Sequence, residues 1–465
     1  MRYKHLLLVG LVLYSTVSTT QATPPPIQHP VAESFGRLYV EYQGRVCPMS
    51  TVSADVCTKL YGKPYYKSKD GTRYTANQVM IGLLFHYDAW ADVPLKQSRK
   101  PQQNREREMV RRMAANGTLC RIWQDEQGWY DINSVAQHSA LGNDEYLFQM
   151  YVLQYVAADI AHGRNIEANK TLQKIRTYQQ QHFRHLPDET RFRAEQRWSR
   201  FPYTFPLALV CLLVGILLSL ANRWLGKGNR LPALHHALVM LCASFFLFLS
   251  SMLLWRWYIS GHIPMSNGHE AMQTLSWFSL MLATFFAIRN SRKAHYTPIP
   301  AGMLIVAGIA LMVSNMSASN PQITHLMPVL QSPLLSLHVG IIMLSYALFA
   351  LLAFNAIVAL TNRKEATISH TDYVLLRVAV CCLCIGIFLG AVWANLSWGR
   401  YWGWDPKEVW ALITMLLYAA PLHAHSLPLF RRPQFFYAYC LVAFLSILFT
   451  HFGVNILLGG MHAYQ

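Results

Sequence analysis

Residues 398–408 read Trp-Gly-Arg-Tyr-Trp-Gly-Trp-Asp-Pro-Lys-Glu and lie between two apolar segments, residues 374–393 and 409–427. Each segment is close to the roughly 20 residues that an α-helix needs to cross a bilayer. Tryptophan and tyrosine form belts at membrane interfaces regardless of function, but a belt requires neither the two glycines nor the Asp-Pro-Lys-Glu. The stretch therefore predicts two membrane helices joined by an aromatic surface that suits a large, flat ligand.

Apolar segments recur through the second half of the chain and predict an all-α polytopic membrane domain over residues 201–465. About eight transmembrane helices are expected, at residues 202–220, 234–255, 271–288, 300–313, 335–360, 374–393, 409–427 and 435–458. Residues 23–200 are mixed in polarity and predict a small N-terminal domain. Within it we expect a strand pair in residues 35–46 and helices over residues 143–161 and 166–184.

The composition favours a membrane protein. The chain has 465 residues, 53% of them hydrophobic and 14% charged, with a formal net charge of +17. The basic residues lie mostly between apolar segments or in residues 96–200, and no zinc-finger or RNA-recognition pattern accompanies them. We therefore expect contact with lipid and no nucleic-acid partner.

The N-terminus predicts export of the first domain. Residues 1–22 have a basic head, a short apolar run and small polar residues, which is the layout of a secretory signal peptide, with an uncleaved anchor as the alternative. Export places residues 23–200 and the outer loop, residues 393–409, on the extracytoplasmic (periplasmic) side of the cytoplasmic membrane. The connections then predicted to be inside carry the basic residues that the positive-inside rule requires: Arg223, Lys227, Arg230, Arg289, Arg292, Lys293, Arg363, Lys364, Arg431 and Arg432.

This topology brings two histidines to the level of the aromatic loop, His338 near the start of the fifth predicted helix and His462 just beyond the last. Two imidazoles at one depth predict axial ligation of haem iron. The porphyrin would lie against aromatic side chains of the loop, namely Trp398, Tyr401, Trp402 and Trp404. Each histidine alone is more typical of a structural residue, and zinc is the competing metal, although two histidines are too few for its usual site.

Other polar residues near the predicted membrane helices leave two interpretations each. His423, near the inner end of the seventh helix, would either hold haem on its way outward or merely reach the inner interface. Asp405 and Glu408 would either orient an imidazole or cap the helix that follows, since Asp-Pro-Lys-Glu is a helix-start signature. Arg256, in another outer connection, would either bind haem propionates or snorkel to the interface.

The cysteines do not by themselves define a reaction. Cys47 and Cys57 could pair in an oxidising compartment, which would leave Cys120 unpaired, but spacing alone does not establish this. The CxxC spacing that begins at Cys381 is followed by Ile385 rather than histidine, so the chain does not itself read as a c-type cytochrome.

Five motifs in order resemble those of the CcsA/ResC-type subunit of the System II cytochrome c synthase, a haem-handling membrane family with a WWD motif. They are the aromatic run and residues 264–270, 338–346, 422–424 and 452–464. The resemblance covers about residues 201–465, and residues 23–200 resemble, less specifically, an N-terminal extension of some members. Two departures are His269 and His451, which stand where the family usually has aromatic residues and could offer alternative ligation.

The resemblance implies that His338 and His462 are the external axial ligands and that His423 belongs to an inner haem site. It also implies that the haem-binding loop contains Trp398, Trp402, Trp404 and Asp405.

The implied activity is that of a holocytochrome c synthase (haem lyase) subunit. It would present haem b for thioether attachment to the CxxCH segment of apocytochrome c. The implied partners are a CcsB/ResB-like membrane subunit and thiol-reducing proteins. Two alternatives stay open: a haem carrier or exporter that does not make the bond, and a scaffold that recruits apocytochrome through residues 23–200.

Overall fold

The structure is a computed structural model that describes residues 27–99, 101–138, 142–199, 201–225, 232–289, 299–316, 322–324, 326, 328–361, 367–458 and 460. The predicted signal peptide, residues 1–22, and His462 lie outside the described residues. Two compact units divide the chain, residues 1–201 and 202–465.

The first unit combines short helices with three β-hairpins. Its described helices are α1 (His29–Gly36), α2 (Met49–Tyr61), α3 (Ala76–Phe85), α4 (Tyr87–Ala91), α5 (Pro101–Ala115), α6 (Asn143–Ala161), α7 (Asn165–His182) and α8 (Glu189–Trp198). Its strands pair as β1 (Tyr39–Tyr42) with β2 (Arg45–Pro48), β3 (Tyr65–Lys67) with β4 (Arg73–Thr75), and β5 (Trp123–Asp125) with β6 (Gly128–Tyr130). All three pairs are antiparallel.

The strand pair predicted within residues 35–46 is confirmed by β1 and β2. The two residues between the strands, Gln43 and Gly44, have φ angles of 52° and 77°, the left-handed backbone that two-residue hairpin turns favour. The predicted helices over residues 143–161 and 166–184 are likewise present as α6 and α7.

The core of the first unit depends on one buried amide as well as on apolar packing. Gln179 of α7 is fully buried, and its Oε1 accepts from the backbone N–H of Tyr39 at 3.0 Å. Its Nε2 donates to the carbonyl oxygens of Tyr39 at 2.9 Å and Ile122 at 3.0 Å. Because a buried polar group is costly unless hydrogen-bonded, two of these bonds tie α7 firmly to β1 and the third ties it to the residue before β5.

The three cysteines of the first unit are buried free thiols, so the pairing of Cys47 with Cys57 that the sequence left open is not formed. Burial raises the pKa of Cys57 and of Cys120 to about 12, and it raises the pKa of Cys47 further. Only the thiolate is a good nucleophile, so these residues are packing residues in this fold.

We expect iodoacetamide to label Cys47, Cys57 and Cys120 slowly in the folded protein at neutral pH. A pKa near 12 leaves on the order of a thousandfold less thiolate than an ordinary cysteine has. Mass spectrometry of labelled peptides, before and after addition of denaturant, measures the difference. Thr118→Cys, at an exposed position, is the control and should react rapidly in the folded state; equal rates at positions 118 and 120 would contradict the burial.

The second unit is helical. Its described helices are α9 (Thr204–Leu225), α10 (Pro232–Ser260), α11 (Gly268–Arg289), α12 (Ile299–Ser314), α13 (Pro333–Thr361), α14 (His370–Trp398), α15 (Pro406–Ala419) and α16 (Pro433–Leu448). A short 3₁₀ turn, Ala420–His423, extends α15, and a π-helical segment, Phe449–Leu458, extends α16. Helix α13 is central, because it packs against α11, α12, α14 and α16.

The helices lie where the apolar segments predicted them, and this confirms a polytopic all-α membrane domain. Among the residues that the structure describes, six helices are long and apolar enough to cross a membrane. The other two, α12 and α15, have 16 and 14 residues, and a crossing by α15 would need the turn that follows it. The chain is therefore a multi-pass membrane protein for which eight spans are plausible.

Candidate functional site

The aromatic run begins on a helix rather than in a loop. Helix α14 continues five residues beyond the predicted end at Trp393, and Trp398 is its last residue. It ends because Gly399 adopts a left-handed conformation with φ of 73°, and its N–H donates to the carbonyl oxygen of Asn395 at 2.8 Å. The predicted loop of residues 393–409 is therefore too long, and the connection itself is residues 399–405.

Trp398 is half-buried, and it packs against residues of both helix ends that flank the connection. Its ring lies 4.9 Å from that of Trp393, which is 1% exposed, at an interplanar angle of 69°. Both rings belong to a small apolar cluster with Leu326, Leu330 and Leu335. This cluster joins the end of α14 to the start of α13, so Trp398 holds together the two helix ends that flank the connection.

Two of the three aromatic side chains in the connection itself are exposed. Tyr401 is 60% exposed and Trp404 is 77% exposed, while Trp402 is half-buried. The Trp402 and Trp404 rings meet edge to face, with centroids 6.1 Å apart. Trp404 has φ of 56°, a strained conformation for a bulky residue, and such strain often occurs at functional sites. The arrangement leaves an aromatic surface that a planar ligand could contact.

Asp405 and Glu408 cap α15, which was one of the two roles predicted for them. Asp405 Oδ1 accepts from the backbone N–H of Lys407 at 3.0 Å. Glu408 Oε2 accepts from the backbone N–H groups of Gly403 at 2.9 Å and Asp405 at 3.2 Å, and Pro406 is at the helix start. The aromatic connection is therefore fixed at its C-terminal end by a capping box.

The C-terminal segment reaches the same cap. At Gly460 an added Cβ would lie 2.5 Å from Oδ2 of Asp405, so the chain passes directly against this carboxylate. Gly460 has φ of 119°, which glycine adopts readily. The C-terminal segment is therefore in contact with the cap of α15 at residue 460. The predicted ligand His462 lies beyond the described residues.

Two substitutions of Asp405 test whether its carboxylate has a role beyond capping α15. Asparagine caps a helix about as well as aspartate, whereas alanine costs about 1 kcal/mol. If the carboxylate also orients an imidazole, Asp405→Asn should lower the haem content of the purified protein nearly as much as Asp405→Ala. If the cap is its whole role, Asp405→Asn should match the unmodified protein in haem content and thermal stability.

His338 lies in the second turn of α13, and its ring packs on α14. Its Nδ1 donates to the carbonyl oxygen of Gly386 at 2.7 Å. Since a carbonyl only accepts, Nδ1 carries the proton and the lone pair of the neutral ring is on Nε2. Metal-ligating histidines are commonly oriented in this way by a backbone carbonyl. The ring is half-buried, and an added Cβ at Gly390 would lie 2.6 Å from its Cε1.

His423 is not brought together with His338. It is exposed in the 3₁₀ turn after α15, and a 14-residue helix plus this turn separates it by roughly 25 Å from Asp405. Arg431 braces the turn, because its Nε donates to the carbonyl oxygen of Ala424 at 3.0 Å and its Nη2 to that of His425 at 2.8 Å. Any ligand role of His423 would thus belong to a separate, inner site.

Arg256 fits neither of its two predicted interpretations. Its side chain is 1% exposed, so it does not snorkel, and its Nε donates to Glu270 Oε1 at 2.7 Å. The other carboxylate oxygen, Oε2, accepts from the N–H and the hydroxyl of Ser266, both at 2.7 Å. The guanidinium also donates to the carbonyl oxygen of Gln322 at 3.2 Å. Arg256 and Glu270 thus form a buried ion pair that joins α10 to α11, rather than an exposed propionate site.

His269 does not offer alternative ligation, because both ring nitrogens are hydrogen-bonded within the bundle. Nδ1 donates to the carbonyl oxygen of Ser314 at 2.7 Å, and Nε2 accepts from Gln273 Nε2 at 2.7 Å. The Oε1 of Gln273 in turn accepts from the Tyr203 hydroxyl at 3.0 Å. His451, the other departure, is half-buried in the π-helical segment with its ring edge-on to Phe452; its ligand role stays a prediction.

Sequence reasoning missed the part played by Gly386 and Gly390. Their signal was present, since two glycines four residues apart lie on one face of a helix and commonly mark close packing between membrane helices. Nothing in the sequence indicates that the opposing side chain is His338. In the described part of the chain, no group of three or more His, Cys, Asp or Glu residues could hold a metal ion.

A family model described as "Cytochrome C assembly protein" matches residues 238–462, a range that contains every residue predicted to bind haem. The protein NrfI of Wolinella succinogenes is 30% identical over 93% of this chain and 54% of its own length. The cytochrome c biogenesis protein CcsA of Chlamydomonas reinhardtii is 32% identical over 47% of this chain and 65% of its own length.

The cytochrome c biogenesis protein CcsA of Pyropia yezoensis is 30% identical over 56% of this chain and 95% of its own length. The chain thus spans nearly all of one such relative and little more than half of NrfI.

Proposed function

Because the chain belongs to the CcsA-type family of cytochrome c assembly proteins, with a role in cytochrome c biogenesis, we propose that it holds haem b and presents it to apocytochrome c. The haem is a substrate that would lie against Tyr401, Trp402 and Trp404, with His338 and His462 as its axial ligands. Attachment to a CxxCH segment would complete the reaction.

The observation that carries the proposal is the hydrogen bond from His338 to Gly386. It assigns the proton to Nδ1 and directs the remaining lone pair to Nε2, the arrangement that a neutral imidazole needs as an iron ligand. Two further observations support it: the exposed Trp404 beside the half-buried Trp402, and the passage of Gly460 against Asp405. The residues present therefore fit a haem.

The bond-forming step is an addition. Each thiol of the CxxCH segment would add across one haem vinyl group, with sulfur bonding to one vinyl carbon and hydrogen to the other, so that no oxidant is consumed. The contribution of this chain would be positioning, because fixing the ring turns a bimolecular encounter into a local one. Two histidine ligands would occupy the iron until the CxxCH histidine displaces one of them.

The chemistry implies partners. The thiols must be reduced before they add, so thiol-reducing proteins would act upstream. A CcsB/ResB-like membrane subunit is the proposed partner within the membrane. The proposed location is the cytoplasmic membrane, with the first unit and the aromatic connection on the periplasmic side and an inner haem site at His423.

Co-expression with a CxxCH reporter tests the proposal. The chain, its membrane partner and the reporter are produced together in cells without their own cytochrome c assembly proteins. Haem that stays on the reporter after denaturing electrophoresis supports attachment. Haem that copurifies with the chain while the reporter stays unmodified indicates a carrier instead, and a haem-free chain with intact membrane insertion contradicts both.

A further inference from the structure

We infer that one face of α14, formed by Gly386 and Gly390, positions the His338 imidazole and determines which ring nitrogen it presents. The inference rests on the proposed function, because it concerns the ligand role of His338. Its own basis is the packing of α13 on α14, which is described independently of any ligand. The two glycines would be positioning residues that do not touch haem.

Two hydrogen bonds from side chains to backbone fix the register of α13 against α14. His338 Nδ1 donates to the carbonyl oxygen of Gly386 at 2.7 Å, and Ser345 Oγ donates to that of Ala379 at 2.9 Å. Ser345 follows His338 by seven residues, about two helical turns, and Ala379 precedes Gly386 by the same number. This is the relation that antiparallel helices require, so the imidazole is held at a fixed height on α14.

An added methyl group would have a different effect at each position. A Cβ at Gly390 would lie 2.6 Å from Cε1 and 2.8 Å from Nδ1 of His338, closer than real contacts allow. A Cβ at Gly386 would lie 2.5 Å from Cδ1 of Ile342, one turn further along α13. The first would displace the ring itself, whereas the second would require the Ile342 side chain to move.

The orientation of the His338 ring determines which nitrogen is available to bind iron. With Nδ1–H directed at Gly386, Nε2 carries the lone pair, and Gly390 leaves room for the ring to lie in that orientation. A partner that fixes a metal-ligating imidazole typically affects metal affinity by 10–100-fold when it is altered. Here the imidazole is held by the backbone carbonyl of Gly386 and by the space that Gly390 leaves. An added methyl group at Gly390 would therefore disturb its orientation.

The test is Gly390→Ala in the full-length protein, purified with its membrane partner. We expect haem retention to fall on the order of tenfold and the visible absorption bands to shift, because the methyl group displaces the ring. In a His338→Ala background the same methyl should cause no further loss. Added imidazole should partly restore haem in His338→Ala but not in the double variant, where the methyl group occupies the vacated space.

Gly142→Ala is the control, since its added methyl group would meet no atom within 4 Å and it should leave the spectrum unchanged. If Gly390→Ala leaves the spectrum unchanged, or lowers haem equally with and without the His338 ring, the positioning role is overturned. If His338→Ala itself retains an unaltered haem spectrum, the axial assignment in the proposed function fails instead.

If Gly390→Ala does not fold, the amount of each variant protein in the membrane tests the inference instead. The methyl group fits into the space that the ring leaves, so the double variant should then recover the level of His338→Ala. Continued absence of the double variant would show that the methyl group disrupts α14 without acting through His338, and this would overturn the inference.

Discussion

Replacing His338 with alanine should lower the haem content of the purified protein by at least about tenfold, change its visible spectrum and abolish cytochrome c maturation. The alanine removes Nε2, the proposed iron ligand that the hydrogen bond to Gly386 orients, and orienting partners alone affect affinity by 10–100-fold. Imidazole supplied in the buffer should restore part of the spectrum. His462→Ala should behave in the same way if it is the second ligand.

His370→Ala is the matched control for this experiment. His370 begins α14 at the opposite end from the aromatic connection and is exposed, so its loss should change neither the haem content nor the spectrum. Absorption spectra and haem-to-protein ratios measure both variants. A normal spectrum in His338→Ala and His462→Ala would refute axial ligation by these residues, whatever the maturation assay shows.

The membrane fold could be predicted from the sequence because bilayer thickness sets helix length and leaves long apolar runs. The ends of the helices were harder to predict. Asn395 and Trp398 are not part of an apolar run, yet α14 continues through them until Gly399 takes a left-handed conformation. The π-helical segment Phe449–Leu458 could not be predicted, because hydropathy is the same for any helical hydrogen-bond pattern.

Local signals in the candidate site were predictable, whereas tertiary contacts were not. The cap at Asp405 and Glu408 was readable because a capping box is a pattern over four residues. The burial of Arg256 could not be predicted from its place near an apolar segment, because its partner Glu270 is on the next helix. The same limit applies to His338, whose orientation depends on glycines 48 and 52 residues further along the chain.

Breaking the Arg256–Glu270 pair should destabilise the second unit strongly. Each side chain is 1% exposed, so removing one leaves an uncompensated buried charge, a change that typically costs 3–5 kcal/mol. We expect Arg256→Met and Glu270→Gln each to lower the amount of protein in the membrane and its unfolding temperature in detergent. Combining them should recover much of the loss, because no isolated charge then remains.

An exposed pair provides the control for burial. Arg121 contacts Glu41 at 2.8 Å, close to the 2.7 Å of the buried pair, but the arginine is 57% exposed. Exposed pairs contribute about 0–1 kcal/mol, so Arg121→Ala should leave the unfolding temperature nearly unchanged. If Arg256→Met is as mild as Arg121→Ala, or if the double variant is worse than both single variants, the buried charge is not what stabilises the contact between α10 and α11.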